Sequence, residues 1–228
     1  MKAKHLLLFA WAAVLIGCTN QNDEVMSENE PQESVKILLE GGIDQQYLSR
    51  VDDGGFCGGD QIGLYGVNYT DKNTVAGTLQ NEGNQVDNVC YTYDEESMKW
   101  TSTIPAYYKD INTCIDLYAY YPYAAPENVS YYKFEVAKDQ NNNDGYAASD
   151  FLWAKAEKVS PSENKVSMRF THQLACANVV LTEGTGFAEG EFATLKKSVL
   201  VLNTTHTCNI DLATGVATPY AMHQKKVF

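Results

Sequence analysis

Hydrophobic and polar residues alternate along several short stretches of this chain, with the period that sends successive side chains to opposite faces of a β-strand. This alternation predicts strands at residues 35–40 (VKILLE), closed by two glycines, and at residues 61–68 (QIGLYGVN). Residues 115–121 (IDLYAYY) and 165–170 (KVSMRF) have apolar residues at every second position, which predicts strands with one buried face.

Two later stretches are continuously apolar. Residues 177–181 (ANVVL) and 198–203 (SVLVLN) predict strands buried on both sides, and residues 209–218 (NIDLATGVAT) predict a strand followed by a turn at Gly215. Residues 147–158 mix alanine with bulky apolar residues, so the sequence allows a short helix there without requiring one. Turn signals every 8 to 15 residues favour an all-β protein, an antiparallel β-sandwich.

The first seventeen residues have the layout of a cleaved export signal. Lys2 and Lys4 precede an apolar run at residues 6–16, which is too short to span a bilayer. Residues 15–18 (LIGC) form a lipobox, in which a small residue precedes the cysteine; an ordinary signal peptide with an incidental cysteine is the alternative. We therefore expect residues 1–17 to be removed and Cys18 to carry palmitate and other acyl chains that hold the protein on a membrane.

Charge excludes one class of partner. Removal of residues 1–17 takes two of the 17 basic residues and none of the 29 acidic ones, so the remaining chain has a net charge of −14. A nucleic acid partner is therefore excluded. Residues 18–34 are acidic and polar, which predicts a flexible tether, whereas the apolar content of 44% supports a folded core beyond it.

Five cysteines remain after Cys18, an odd number without C-x-x-C spacing, so at least one thiol should stay free. The spacing of His172, Cys176, His206 and Cys208 would suit zinc. A disulfide between Cys176 and Cys208, or unpaired core thiols, is more usual in an exported β-protein, and we expect neither metal nor cofactor.

Motifs for catalysis and for calcium binding do not lead to a site. Asp139, Asn141, Asn143 and Asp150 occupy template positions of a calcium loop, but Asp144 stands where the template requires glycine. The sequence contains neither G-x-S-x-G nor H-E-x-x-H, so we do not expect an enzyme.

Several local patterns occur in a characteristic order: a lipobox, an acidic tether, a first strand, Arg50, and then GDQIGLYG, LYAYYPY, SDFLWA and FTHQLA. In this order, over about residues 15–218, the chain resembles the fimbrillin family of Bacteroidales-type fimbrial subunits. The resemblance implies tandem transthyretin-like antiparallel β-sandwich domains, which we place at residues 35–165 and 166–228. Because the chain stops at Phe228, soon after the NIDLATG segment, we expect the second domain to be truncated.

The resemblance also implies a route of assembly. A lipid-anchored precursor, exposed on the cell outer membrane, would be cut by an arginine-specific protease between Arg50 and Val51, losing the strand at residues 35–39. The empty groove would then accept a strand from another fimbrial subunit. A surface arginine with no processing role is the alternative for Arg50, whereas Arg169 lies between apolar strand residues and should be shielded.

These observations favour a structural or accessory subunit of fimbriae, at the tip or the anchor, that takes part in cell adhesion. The alternative is a membrane-tethered lipoprotein that binds glycans, because a tyrosine ring can stack on a sugar. The tyrosines considered for such stacking are Tyr107, Tyr108, Tyr131 and Tyr132.

Overall fold

The computed structural model describes residues 34–43, 55–140, 143–163, 165–177, 179–197, 199 and 204–220. Within these residues the strands are β1 (Leu39–Glu40), β2 (Gln61–Asn68), β3 (Val86–Asp94), β4 (Lys99–Thr101), β5 (Ile115–Tyr121), β6 (Tyr132–Glu135), β7 (Leu152–Val159), β8 (Val166–Ser167), β9 (Thr171–His172), β10 (Thr207–Ile210) and β11 (Ala217–Pro219). Two short helices, α1 (Asn143–Ala147) and α2 (Glu191–Thr194), accompany them, so the described chain is all-β in class.

The strands form three sheets. Six strands make an antiparallel sheet in the order β4-β3-β2-β5-β7-β9, and three make a second antiparallel sheet in the order β11-β10-β6. Strands β1 and β8 pair in parallel, with Leu39 opposite Val166. The expectation of a purely antiparallel sandwich is therefore wrong at this pair.

Both faces of the six-stranded sheet are buried, each in its own hydrophobic core. The first core joins one face of the sheet to β1 and β8, and it includes Ile62, Leu64, Ile115, Leu117 and Val166. The second core joins the opposite face to the three-stranded sheet, and it includes Tyr65, Tyr118, Tyr120, Phe134 and Ile210. Alternate residues of one strand thus enter different cores, as the pleat of a strand requires.

Strand β5 has the bounds that the alternation predicted, but not its burial. All seven of its residues are buried, so the prediction of one buried face is wrong. The residues that looked polar in the pattern are tyrosines such as Tyr118 and Tyr120, which pack into the second core. Tyrosine can do this because its ring is apolar and its hydroxyl needs only one partner; the Tyr120 hydroxyl donates to Ala124 O at 2.8 Å.

Strands on both sides of residue 165 share sheets. Beyond that residue, β8 pairs with β1, β9 pairs with β7, and β10 pairs with β6. The predicted domain boundary at this residue stays a prediction.

The turn at Gly215 is confirmed, because this glycine has φ +76° between the paired strands β10 and β11. Residues 147–158, where the sequence allowed a short helix, mostly belong to strand β7, and helix α1 ends at residue 147.

The apolar run at residues 177–181 does not form the predicted buried strand. Its residues 177 and 179–181 belong to no strand, and Val180 is 74% exposed. A strand needs a hydrogen-bonding neighbour, and no strand of the described chain pairs with this run. The second predicted strand, at 198–203, lies almost entirely outside the described residues, and its residue Val199 is exposed.

Candidate functional site

The segment at residues 34–43 lies between two other parts of the chain and is hydrogen-bonded to both. On one side it runs antiparallel to residues 106–108, with Ile37 N donating to Ala106 O and Tyr108 N donating to Val35 O, each at 2.9 Å. On the other side it runs parallel to residues 165–170, which donate to it at every second residue. These donors and acceptors are Val166 N to Leu38 O (2.8 Å), Met168 N to Glu40 O (2.8 Å) and Phe170 N to Gly42 O (3.0 Å).

Side chains of this segment alternate between the first core and the surface. Ile37 is 0% exposed and Leu39 is 4% exposed, and the partly buried Val35 and Ile43 pack against the same core. Leu38, between two inward residues, is 46% exposed. The segment therefore fills an apolar groove with one face, which we call the 34–43 groove.

Gly41 brings the segment closer to its parallel neighbour than another residue could. Its φ is +122°, a conformation that residues with a side chain rarely adopt. A Cβ built at Gly41 would overlap the carbonyl oxygen of Met168 and lie 2.8 Å from its backbone nitrogen. Strand β1 ends at Glu40, directly before the two glycines, but contact with the parallel neighbour continues through them, because Phe170 N donates to Gly42 O and Ile43 forms a bridge with Phe170.

Two aromatic side chains of the sheet reach the backbone of the segment. The Tyr91 hydroxyl accepts from Ala106 N at 3.2 Å and donates to Ile37 O at 3.4 Å, while Trp100 Nε1 donates to Gly41 O at 3.4 Å. Burial raises the pKa of Tyr91, so its hydroxyl keeps the proton that it donates. The groove thus contains fixed polar partners for the backbone of its occupant.

The chain that follows residue 54 is attached to the same core by Phe56. Its ring centroid lies 4.8 Å from that of Trp100, 5.1 Å from that of Phe170 and 5.7 Å from that of Tyr121. The next turn is fixed by Asp60, whose carboxylate accepts from Cys57 N at 2.8 Å. Residues 34–43 and residues from 55 onward are therefore each held by their own contacts.

The predicted lipidation site Cys18 and the predicted cleavage site at Arg50 and Val51 lie outside the described residues, and these assignments stay predictions. Arg169 is described, and the expectation that it is shielded is wrong for its side chain, which is exposed. Its backbone is instead flanked by residues 168 and 170, which are hydrogen-bonded to the segment at 34–43.

The two cysteines considered for a disulfide are free thiols in the structure. Cys208 points into the second core from β10, where burial raises the pKa of its thiol. Cys176 is exposed beyond β9, with its Sγ 3.9 Å from the Tyr146 hydroxyl. One thiol is buried and the other is exposed, and the two do not form a disulfide in this structure.

The residues considered for zinc form no metal site in the described part of the chain. His172 Nδ1 lies 2.9 Å from Asp150 Oδ1, which joins the start of β7 to β9. Within the residues that the structure describes, no three His, Cys, Asp or Glu side chains form a group that could hold a metal ion.

Two of the four tyrosines considered for glycan stacking are parts of cores. Tyr108 is buried in the first core and Tyr132 packs against the second, whereas Tyr107 and Tyr131 are exposed. The expectation that these tyrosines are exposed is therefore wrong for Tyr108, and Tyr132 is only partly exposed. For the described ranges, no helix is both long enough and apolar enough to cross a membrane.

Sequence reasoning placed a strand at residues 35–40 but missed the residues that shape its groove. From the sequence, Gly41 was expected only to end the strand and Met168 only to be an apolar strand position, and Phe56 had no assigned role. One signal was available for the length of the strand: Ile43 continues the odd-numbered apolar positions of Val35, Ile37 and Leu39.

The fold of this all-β chain is similar to that of solved structures. A "putative cell adhesion protein" from Bacteroides uniformis aligns with a TM-score of 0.54 and 21% identity over 82% of this chain and 66% of its own. A second "putative cell adhesion protein", from Bacteroides ovatus, aligns with a TM-score of 0.51 and 17% identity over 82% of this chain and 70% of its own.

The sequence profile of the Fimbrillin-like family matches residues 49–227, so the chain belongs to this family. It is also 26% identical over 197 residues to the "Putative fimbrium tip subunit Fim1C" of Bacteroides ovatus. That match covers 77% of this chain, which spans about a third (33%) of the length of this curated relative.

Proposed function

We propose that this protein is a structural or accessory subunit of fimbriae that assembles by exchanging the strand at residues 34–43 for a strand of another subunit. The observation that carries this proposal is the 34–43 groove. Its occupant is hydrogen-bonded along both edges, fills the first core with one face, and is joined to the rest of the chain through residues 44–54. A strand held only by such contacts can be replaced by any other strand that makes the same ones.

Cleavage after Arg50 is the proposed trigger. A cut there breaks the covalent link between the occupant of the groove and the chain anchored at Phe56. A strand that has been displaced can then leave the subunit, whereas an uncut strand would remain beside its groove. Acylation of Cys18 would hold the uncut precursor on the outer membrane, and strand exchange after cleavage would remove the lipid together with the displaced strand. Tandem transthyretin-like sandwiches, a tip or anchor position and a part in cell adhesion belong to the same proposal. The name of the Bacteroides ovatus relative supports the tip position, and the description of the Bacteroides uniformis structure supports the part in adhesion.

Limited digestion with an arginine-specific protease tests the trigger. We expect the folded protein to give a product that begins at Val51, and Arg50→Ala to abolish both this product and any polymer. Arg169 serves as an internal control, since its flanking backbone is protected only while the groove is filled. Cleavage at Arg169 before Arg50 would contradict the proposal, and so would fimbriae built from chains that still begin at Cys18.

A further inference from the structure

The groove makes two kinds of demand on its occupant, and the first concerns apolar side chains. Inward positions are held by Val35, Ile37, Leu39 and Ile43, with Gly41 completing the alternating series. A shift of one residue would turn Lys36 and Glu40 toward the first core. An incoming strand must therefore present apolar residues at these alternate positions.

The second demand concerns the fourth inward position. The atoms nearest to a Cβ added at Gly41 are the backbone nitrogen, carbon and oxygen of Met168, and backbone cannot move aside as the end of a flexible side chain can. The amide of Met168 also donates to Glu40 O at 2.8 Å, which fixes this close approach. Moving the two segments apart would weaken the hydrogen bonds on either side of the contact.

The neighbouring glycine provides a built-in comparison. A Cβ at Gly42 would meet nothing within 4 Å, so this position tolerates a side chain while Gly41 does not. The requirement for glycine is therefore specific to one position and is not a general property of the Gly-Gly pair.

From these contacts we propose that the 34–43 groove accepts only an incoming strand that has a glycine at the position that Gly41 occupies. The selected strand has apolar residues where Val35, Ile37, Leu39 and Ile43 lie, has glycine where Gly41 lies, and runs parallel to residues 165–170. This inference rests on the proposed strand exchange and adds the partner's sequence pattern to it. The glycine and the alternation set the register together, because the one-residue shift that would bring Gly42 against Met168 would also turn Lys36 and Glu40 toward the first core.

Peptide exchange into the cut protein tests the pattern. The full chain is cleaved at Arg50 and incubated with fluorescent peptides of residues 34–43, each with solubilising lysines after the last residue. One has the native sequence, one carries Gly41→Ala, and one carries Gly42→Ala. We expect the native and Gly42→Ala peptides to replace the resident strand with similar affinity, and the Gly41→Ala peptide to bind about tenfold more weakly or worse.

Equal binding of all three peptides would overturn the glycine rule while leaving strand exchange intact. Failure of every peptide, with the resident strand retained, would overturn the proposed strand exchange itself and the rule that rests on it. A second measurement does not depend on exchange: in the uncut chain, Gly41→Ala should lower the melting temperature and Gly42→Ala should not. An unchanged melting temperature for Gly41→Ala would also overturn the rule.

Discussion

Two adjacent residues of the groove occupant, Ile37 and Leu38, allow a direct test of how much its inward face contributes to stability. The side chain of Ile37 is fully buried, whereas that of Leu38 is 46% exposed. Truncation of a buried isoleucine to alanine costs about 2–5 kcal/mol, because the apolar contact is lost and a cavity remains. A half-exposed leucine outside the core should cost no more than about 0.5 kcal/mol. Ile37→Ala should therefore destabilise the protein several times more than Leu38→Ala.

Urea unfolding, followed by tryptophan fluorescence, measures this difference. Trp100 is a suitable probe because its indole touches the segment at Gly41. With an m value of about 2–3 kcal/mol/M, a loss of about 3 kcal/mol lowers the unfolding midpoint by about 1 M. Leu38→Ala is the matched control, since it removes a side chain of similar size from the same strand. Equal midpoints for the two variants would refute the assignment of Ile37 to the core and of Leu38 to the surface.

Three further predictions concern other parts of the chain. The Tyr108 hydroxyl is buried and has no hydrogen-bond partner among the described residues, so Tyr108→Phe should leave stability unchanged or raise it, while Tyr120→Phe should lower it by about 1 kcal/mol in the same urea assay because Tyr120 bonds to Ala124 O. Burial raises the pKa of Tyr65 and of Tyr108 to about 12. The unfolded chain loses these protons near pH 10 and the folded chain near pH 12, so stability should be full below about pH 10 and fall between about pH 10 and 12; a flat profile of urea midpoints across that window would contradict this. Cys18→Ala should abolish palmitate labelling and membrane fractionation, and a labelled Cys18→Ala protein would disprove the lipid anchor.

Alternation identified some strands to the residue. The bounds predicted for β2 and β5, residues 61–68 and 115–121, are those of the structure, because each has strand-forming residues between clear turn signals. Burial could not be predicted in the same way. Tyr118 and Tyr120 occupy positions that suggested a solvent face, yet a second sheet covers them, and only the tertiary arrangement determines that.

The opposite error occurred in a continuously apolar stretch. Val179, Val180 and Leu181 suggested a strand buried on both sides, and in the structure they are exposed and belong to no strand of the described chain. Apolar residues favour burial, but their sequence does not show which other segment of the chain would cover them. The groove was predictable only in outline for a related reason: the alternation of Val35 and Ile37 indicates an inward face, whereas the closeness of Gly41 to Met168 is a property of two segments more than a hundred residues apart.

The contacts on the two sides of Arg50 indicate what cleavage alone would do. Before the cut, the occupant of the groove is linked through residues 44–54 to the chain at Phe56, and Phe56 packs against Trp100 and Phe170. Trp100 also bonds to Gly41, and Phe170 also bonds to Gly42, so the same two residues contact the described chain on both sides of residues 44–54. A cut at Arg50 breaks none of these contacts, and the strand should stay in place after cleavage. On the proposed mechanism, the protease therefore makes exchange possible without driving it, and the incoming strand must displace the resident one by matching its hydrogen bonds, its apolar face and its glycine.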